Sequence, residues 1–187
     1  MSSANRDCIV TSALRLFARR GYTRTSIGDI ADEAGMLKGN IAYYFKTKPE
    51  ILAGVIDERR RRIMARLNAD AGASAPDAIK RLIVLVESSA DEMARTGCPV
   101  GSLACELGKH DEALRARAAG LLVHIQTWLE QQFSRIQTPP AAQASAEHLL
   151  TLMQGSAVLA HAHGDAHIVR KQMAHARQWL DEVVQGP

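Results

Sequence analysis

Apolar residues recur at helical spacing along almost the whole chain, and no segment shows the strict apolar-polar alternation of a β-strand. Gly, Pro and Ser clusters interrupt this pattern and divide the chain into about nine segments. Helices are predicted over residues 6–20, 27–34, 38–44, 48–69, 76–95, 101–107, 111–136, 143–163 and 167–184. The pattern therefore predicts an all-α fold.

The densest local signals lie in residues 21–52. Ser26 followed by Asp29 is a capping-box pattern, which predicts that a helix begins here. Its apolar positions, three and four residues apart, would share one buried face. These positions are Ile27, Ile30, Ala31 and Ala34. Gly35 can end this helix in the left-handed conformation.

A second short helix should follow after a three-residue turn. Leu37, Ile41 and Phe45 repeat every four residues and are predicted to face the core. The opposite side is polar and low in relief, and its Lys and Asn side chains carry donors suited to guanine and adenine edges. A helix of this length would fit within a major groove. The two helices therefore predict a helix-turn-helix over about residues 26–45.

A longer helix is predicted to begin directly afterwards. Thr47 with Glu50 forms a second capping-box pattern, and Pro49 is tolerated in a first turn. Lys48 then lies at a helix N-terminus, where a cation and backbone donors could hold a phosphate.

These residues also form a known family pattern. The sequence F-x-x-x-G-[FY]-x-x-T-[TS] is present as Phe17, Gly21, Tyr22, Thr25 and Ser26. It continues through Lys38, Gly39, Ile41, Tyr43, Tyr44, Phe45 and Lys48. Residues 5–66, about a third of the chain, thus resemble the DNA-binding domain of TetR-family transcriptional regulators. Two positions depart from the family: Leu37 replaces the usual capping residue, and Ala42 stands where a groove-facing Tyr is common.

The resemblance implies a DNA-binding domain over residues 1–48, a connecting helix over 48–69, and an antiparallel helical domain for effector binding and dimerisation over 70–187. It also implies a homodimer on a pseudo-palindromic double-stranded operator, released by a small-molecule effector. The predicted base-reading face comprises Lys38, Gly39, Asn40, Ala42, Tyr43 and Tyr44. The predicted phosphate contacts are Thr25, Ser26, Lys46 and Lys48.

Charge is distributed as a DNA reader requires. Residues 1–66 hold 13 Lys or Arg against 7 Asp or Glu, whereas the remainder holds 10 against 13. The basic part would face phosphates. The run Arg59–Arg62 lies beyond the reader, and we interpret it as a solvated face rather than a DNA clamp.

Other classes of protein lack support in the sequence. No run of 18 uncharged apolar residues and no secretory signal is present, so a cytoplasmic protein without a membrane partner is expected. Three cysteines without a C-x-x-C pair do not form a disulfide framework or zinc pair. No nucleophile elbow, P-loop, dinucleotide-binding glycine pattern or H-E-x-x-H motif occurs, so we expect no enzyme and no cofactor. An effector-free DNA binder remains an alternative.

The last two predicted helices indicate assembly. Residues 149–160 are apolar around most of the helix, which favours burial on two sides. One side could face a second copy of the chain, and the alternative is burial within a monomer. The predicted dimer interface comprises Leu149, Met153, Ser156, Ala157, Ala160, Val169, Met173, Ala176 and Leu180.

Residues 97–107 break a helix and start a short apolar one. They resemble a G-C-x-x-G-x-L-x-x-E-L segment of a TetR subgroup that includes drug and electrophile sensors. Cys98 could be a redox or electrophile switch, although a small buried side chain is the interpretation we favour. Cys105 is expected in the core. Glu106 could neutralise a cationic ligand, and an exposed or salt-bridged carboxylate is the alternative.

The predicted effector pocket is mainly aliphatic, which favours an apolar or flexible ligand. It comprises Leu82, Leu85, Val86, Met93, Cys98, Leu103, Glu106, Leu107, Leu121, Leu122, Ile125, Trp128 and Leu152. A metal site at His161, His163, Asp165 and His167 was also considered. Rings two residues apart on a helix point about 200° apart, so surface or interface histidines are the preferred interpretation and no metal is expected.

Overall fold

The computed structural model of the chain describes residues 2–69, 72–107 and 112–186. Within these ranges the protein forms ten α-helices and no strand, which confirms the all-α prediction. The helices are α1 (Ser2–Arg20), α2 (Ile27–Glu33), α3 (Lys38–Tyr44), α4 (Lys48–Leu67), α5 (Ala75–Ser88), α6 (Ala90–Thr96), α7 (Gly101–Leu107), α8 (Glu112–Phe133), α9 (Pro139–His163) and α10 (His167–Gln185). Residues 108–110, between two predicted helices, and residue 111, the predicted start of the second, lie outside the described residues.

The chain divides into two compact units. Unit 1 comprises Met1–Met64 with Ser102–Leu121, and unit 2 comprises Ala65–Gly101 with Leu122–Pro187. The sequence-based boundaries placed everything after residue 70 in the second domain. Unit 1 includes most of α7 and the start of α8 and is therefore discontinuous in sequence, while the functional boundaries at residues 48 and 70 stay a prediction.

The core of unit 1 lies where α1 packs on α2 and α2 packs on α3. Of the stripe predicted for α2, Ile30 and Ala31 are buried and Ile27 and Ala34 are half-buried. The buried side chains are Ile9, Ala13, Leu16 and Phe17 on α1, Ile30 and Ala31 on α2, Ile41 on α3, Phe45 after it, and Ile51, Leu52 and Val55 on α4.

Capping explains where α2 begins and ends. The Ser26 side chain accepts a hydrogen bond from the Asp29 amide at 3.1 Å, and the Asp29 carboxylate accepts from the Ser26 amide at 2.7 Å. The predicted capping box is therefore confirmed, and Gly35 adopts the predicted left-handed backbone with φ of 64°. The second box forms in part. Thr47 accepts from the Glu50 amide at 3.3 Å, but the Glu50 carboxylate accepts from the Lys46 amide.

The predicted helix over residues 76–95 is two helices, α5 and α6. Ser89 separates them with a backbone of φ −92° and ψ 4°. The Ser88 and Ser89 hydroxyls both donate to the Leu85 carbonyl, at 2.8 and 3.0 Å. Such local side-chain bonds compete with the helical ladder, a feature that apolar periodicity does not detect.

The start of α9 is also earlier than predicted. The sequence pattern predicts a helix from residue 143, after Pro139 and Pro140. These two prolines instead occupy the first turn of α9, directly after the N-cap residue Thr138. Proline suits that position because its φ is already helical and the missing N–H would have no intrahelical partner.

In unit 2, α9 packs against α6 and α10, and α10 packs against α5. Two ion pairs join α10 to α5: Arg177 with Glu87 at 2.5 Å, and Lys80 with Asp181 at 2.7 Å. Across the described parts of the chain, every helix is too short or too polar to span a bilayer.

Candidate nucleic-acid interface

The outer face of α3 is open to solvent. Ile41 anchors the helix with a fully buried side chain, while the positions around it point outward. Lys38, Gly39, Asn40, Ala42 and Tyr43 are exposed, and Tyr44 is half-buried. The structure therefore brings the six predicted base-reading residues onto one short helix, and their contact with DNA stays a prediction.

Beside α3 lies a groove of about 590 Å³ within unit 1. Its lining residues are Asn5, Ala34, Gly35, Met36, Gly39, Asn40, Tyr43 and Tyr44. The Asn5 amide donates to the Tyr44 hydroxyl at 3.1 Å, so α1 contributes to this surface. Asn5 is not among the predicted site residues, because it belongs to no recognisable sequence motif.

Leu37 does not occupy the core, which corrects the prediction from its spacing. It is the N-cap of α3, with an extended backbone of φ −69° and ψ 140°, and its side chain is 77% exposed. The four-residue repeat holds only inside a helix, and Leu37 lies just outside one. As expected from the unusual residue type, no side-chain hydrogen bond caps α3.

Lys48 and Thr25 make hydrogen bonds within unit 1, and their contact with phosphate stays a prediction. The Lys48 ammonium donates to the Tyr22 and Thr25 carbonyls at 3.0 Å each and lies 4.2 Å from the centre of the Tyr22 ring. Thr25 is 1% exposed, and its hydroxyl donates to the Gly21 carbonyl at 2.8 Å. Both side chains hold the loop between α1 and α2.

Glu106 on α7 secures the same loop from the opposite side. Its carboxylate accepts from the Tyr22 amide at 2.9 Å and from the Thr23 amide at 2.7 Å. Gly21 has a φ of 80°, and a Cβ there would lie 3.1 Å from the Glu106 oxygens. Two features favour glycine at position 21. Its backbone angle is one that other residues rarely adopt, and a side chain there would crowd the Glu106 carboxylate.

The ionised form of Glu106 is favoured in this setting. Burial raises the pKa of the carboxyl, but the hydrogen bonds from Thr23 and Tyr22, together with the charge of Lys48, outweigh burial and hold the pKa below its ordinary value of 4.5. Neither role predicted for Glu106, ligand neutralisation or a surface salt bridge, describes this contact. Sequence reasoning missed it because the bonded amides lie 84 and 83 residues earlier.

The remaining predicted phosphate contacts are at the surface. Ser26 is exposed but already caps α2. Lys46 is exposed, and its ammonium donates to the Ala42 carbonyl at 2.8 Å.

The basic run on α4 is not uniformly solvated, because Arg59 is buried. Arg61 and Arg62 both pair with Glu58, and these bonds lower the pKa of that carboxyl to about 2.

The predicted effector residues are divided between the two units. Leu103, Glu106, Leu107 and Leu121 belong to unit 1, and the others belong to unit 2. Leu82 and Leu85 line a groove of about 530 Å³ in unit 2. Its other lining residues are Arg66, Leu67, Asp77, Ala78, Lys80, Arg81, Val84 and Ser88. Of the predicted set in unit 2, Val86, Ile125 and Trp128 are buried core residues.

The two cysteines of residues 97–107 differ in environment. Cys98 is buried, and its sulfur accepts a hydrogen bond from the Gly101 amide at 3.4 Å. Cys105 is exposed, which corrects the expectation that it belongs to the core. It lies on the solvent side of α7, two residues before the last residue of the helix.

The nine residues predicted to form a dimer interface are all buried within the single chain. They form the contacts of α9 and α10 with neighbouring helices of unit 2, so their side chains are not at the surface. The exposed side of α9 carries other apolar residues. Val158 is 64% exposed and Leu159 is 52% exposed, with Gly155 exposed beside them.

The histidine cluster does not form a metal-binding arrangement. His161 bonds the Ala94 carbonyl at 3.2 Å, and Asp165 accepts from the His167 amide at 2.8 Å. Across the described residues, no group of three His, Cys, Asp or Glu side chains could hold a metal ion.

Two family models match the chain. Residues 9–55 match bacterial regulatory proteins of the tetR family. Residues 75–175, more than half of the chain, match the C-terminal domain of LmrA/YxaF-like transcriptional regulators. The first match covers most of α1, all of α2 and α3, and the start of α4, and it includes the exposed face of α3.

Relatives and solved structures agree with these matches. The chain is 31% identical over 166 residues to an HTH-type transcriptional regulator in the lacX 3′ region of Lactococcus lactis, covering 82% of each chain. It is 30% identical over 116 residues to the regulator LmrA of Bacillus subtilis, covering 59% of this chain and 61% of LmrA. A TetR-family regulator from Agrobacterium tumefaciens has a similar fold, with a TM-score of 0.83 at 20% identity over 96% of this chain and 98% of that one. The protein therefore belongs to the TetR family of DNA-binding transcriptional regulators.

Proposed function

We propose that this regulator is a repressor that binds a pseudo-palindromic operator as a homodimer and is released by a small-molecule effector. The exposed face of α3 carries the proposal. Its Lys38 and Asn40 side chains suit the edges of guanine and adenine, and buried Ile41 fixes the helix beneath them. A dimer would place two such helices about one turn of DNA apart.

Gly39 supports close approach of DNA to this face. A Cβ built at Gly39 meets no atom within 4 Å, so nothing in the chain itself requires glycine there. Glycine inside a helix is less stable than alanine by about 0.5 to 1 kcal/mol. A ligand that lies against the helix backbone would explain why glycine, rather than alanine, occupies the first turn of α3.

The experiment is selection of bound duplexes from random DNA, followed by affinity measurements on the recovered sequence. We expect a pseudo-palindromic site whose affinity falls steeply with salt, by a slope set by the number of neutralised phosphates. Recovery of sequences no better than bulk DNA at moderate ionic strength would contradict the proposal. A screen of small molecules against the protein-operator complex then tests release.

Assembly is supported by the exposed side of α9. Val158 and Leu159 form an apolar surface next to Gly155, which permits close approach of another helix. We propose that this surface, rather than the nine buried residues of α9 and α10, meets the second copy. A self-complementary contact of this kind is typical of two-fold dimers.

Thiol sensing is a second candidate function. The contact between the Gly101 amide and the Cys98 sulfur favours it, because it gives the thiol a polar neighbour. The deep burial of Cys98 argues for the packing role. Operator release by an electrophile in wild-type protein, and not in Cys98→Ser, would support sensing; equal release in both would exclude Cys98.

A further inference from the structure

Leu37 and Tyr43 are the most exposed of the large apolar side chains described in the structure, at 77% and 76%. Both belong to the reading surface of unit 1. A tyrosine ring with its hydroxyl suits a wet surface, whereas a leucine side chain gains nothing from water. Leu37 is therefore the residue on this surface whose chemistry the free protein does not explain.

The position makes leucine still less favourable. Leu37 is the N-cap of α3, and no side chain caps this helix. Ser, Thr, Asp or Asn at an N-cap stabilises a helix relative to residues whose side chains cannot accept a hydrogen bond. The chain thus has neither the cap nor the burial at this site, a combination that is expected where function selects the residue.

The chemistry of the major groove identifies what a leucine there would contact. Among the four bases, thymine is the one that presents a methyl group, on C5, at its major-groove edge. Leu37 has no donor or acceptor to offer the polar edges. Residues at the start of a recognition helix are those that reach base edges.

We propose that Leu37 is a specificity-determining residue that reads the C5-methyl group of a thymine in each operator half-site. This inference rests on the proposed function, because it places α3 in the major groove. Asn40, three residues further along the same helix, offers an amide that suits adenine. The start of α3 therefore combines an apolar reader of thymine with a polar reader of adenine.

The test replaces each thymine of the selected operator, one at a time, by deoxyuridine, which lacks only the methyl group. At one or more positions per half-site, the substitution should weaken binding of the wild-type protein about three- to fivefold, the effect of leaving one methyl group unburied. Leu37→Ala should bind the thymine and deoxyuridine operators equally. Affinities are measured by fluorescence anisotropy at one salt concentration.

Two control variants separate this role from others. Val123→Ala removes part of an exposed side chain on α8, 58% exposed, and should retain the full deoxyuridine effect. Leu37→Ser supplies the missing cap, so it should melt about 2 to 4 °C higher while also losing the deoxyuridine effect. A higher melting temperature shows that loss of the effect does not come from misfolding.

The outcomes are distinct. If no duplex is preferred in the initial selection, the proposed function fails, and this inference fails with it. If an operator is found but deoxyuridine has no effect at any position, only the role of Leu37 is overturned. A deoxyuridine effect that persists in Leu37→Ala and disappears in Tyr43→Ala assigns the methyl contact to the tyrosine instead.

Discussion

Two exposed residues at the start of α3 lower the stability of this helix. Gly39 has open space around its missing side chain, and Leu37 leaves the helix uncapped. Both residues destabilise α3, a seven-residue helix whose buried side chain is Ile41. Such local conflicts are expected where a surface is shaped for a ligand rather than for the free protein.

Gly39→Ala should separate stability from binding. We expect the free energy of unfolding to rise by about 0.5 to 1 kcal/mol, because alanine favours the helix and meets no neighbour. Operator affinity should fall, since the added methyl group occupies space that DNA needs. Chemical denaturation and anisotropy measure the two quantities, and an unchanged operator affinity would show that DNA does not approach this position.

Lys48→Ala should act through the fold. Loss of its bonds to the Tyr22 and Thr25 carbonyls should reduce the free energy of unfolding by about 1 to 3 kcal/mol. The slope of log affinity against log salt should stay unchanged, because no phosphate contact is removed. Lys46→Ala is the matched comparison, and it should lower that slope by about one. A lowered slope in Lys48→Ala would restore its role as a phosphate contact.

At the scale of elements, the loop between α1 and α2 is held by two side chains from helices that follow it in the chain. Lys48 binds its carbonyls and Glu106 binds its amides. The loop directly precedes the capping box of α2. Its backbone geometry therefore sets the start of the helix-turn-helix.

Glu106→Gln should loosen this loop. The neutral amide keeps one acceptor oxygen, so we expect the free energy of unfolding to fall by about 1 to 2 kcal/mol at neutral pH. Leu103, the buried neighbour on α7, is unchanged, which limits the effect to the carboxylate. Hydrogen exchange at the Tyr22 and Thr23 amides should accelerate in the variant. Unaltered exchange would mean that the carboxylate does not protect them.

The difference between wild type and Glu106→Gln should depend on pH. The pKa of Glu106 is lowered in the folded protein, so the stabilisation is fully present above its unfolded pKa, near 4.5. It is lost as the pH falls through the lower folded pKa. Denaturation curves of both proteins between neutral and strongly acidic pH should therefore converge at the acidic end. A constant difference across this range would contradict the assignment.

The elements also show what the sequence could and could not predict. Capping at Ser26, the turn at Gly35 and the stripe of α2 follow from neighbours within a few residues, so they were predicted correctly. The break at Ser89 depends on hydroxyl bonds to Leu85, which compete with a pattern that looks continuous. The Glu106 contact required knowledge of tertiary packing, because no local rule relates it to the loop.

At the scale of the whole molecule, assembly should depend on the exposed side of α9. Val158→Glu should give a monomer in sedimentation, because a charge buried at a two-fold contact meets its own copy. Val123→Glu, at a valine of similar exposure on α8, should remain dimeric. Monomers of wild-type protein at micromolar concentration would contradict the proposed dimer. Dimers of Val158→Glu would move the interface elsewhere.

Whole-chain patterning does not distinguish residues that contact a second copy from residues that pack within one chain. Residues 149–160 are apolar on nearly all sides, and periodicity alone does not show which side meets α6 and α10. Leu149, Met153 and Ala160 were assigned to the partner but pack within unit 2. Val158 and Leu159 are large apolar residues of this segment that remain exposed to solvent.

The Glu106 contact has a consequence for transplanting operator specificity between regulators. A chimera that joins residues 1–67 to a foreign sensory domain would inherit the loop at Tyr22 and Thr23 without the acceptor that this chain provides at residue 106. Portability therefore depends on the recipient supplying a carboxylate on its counterpart of α7. A graft that also carries residues 102–107 would retain the native support.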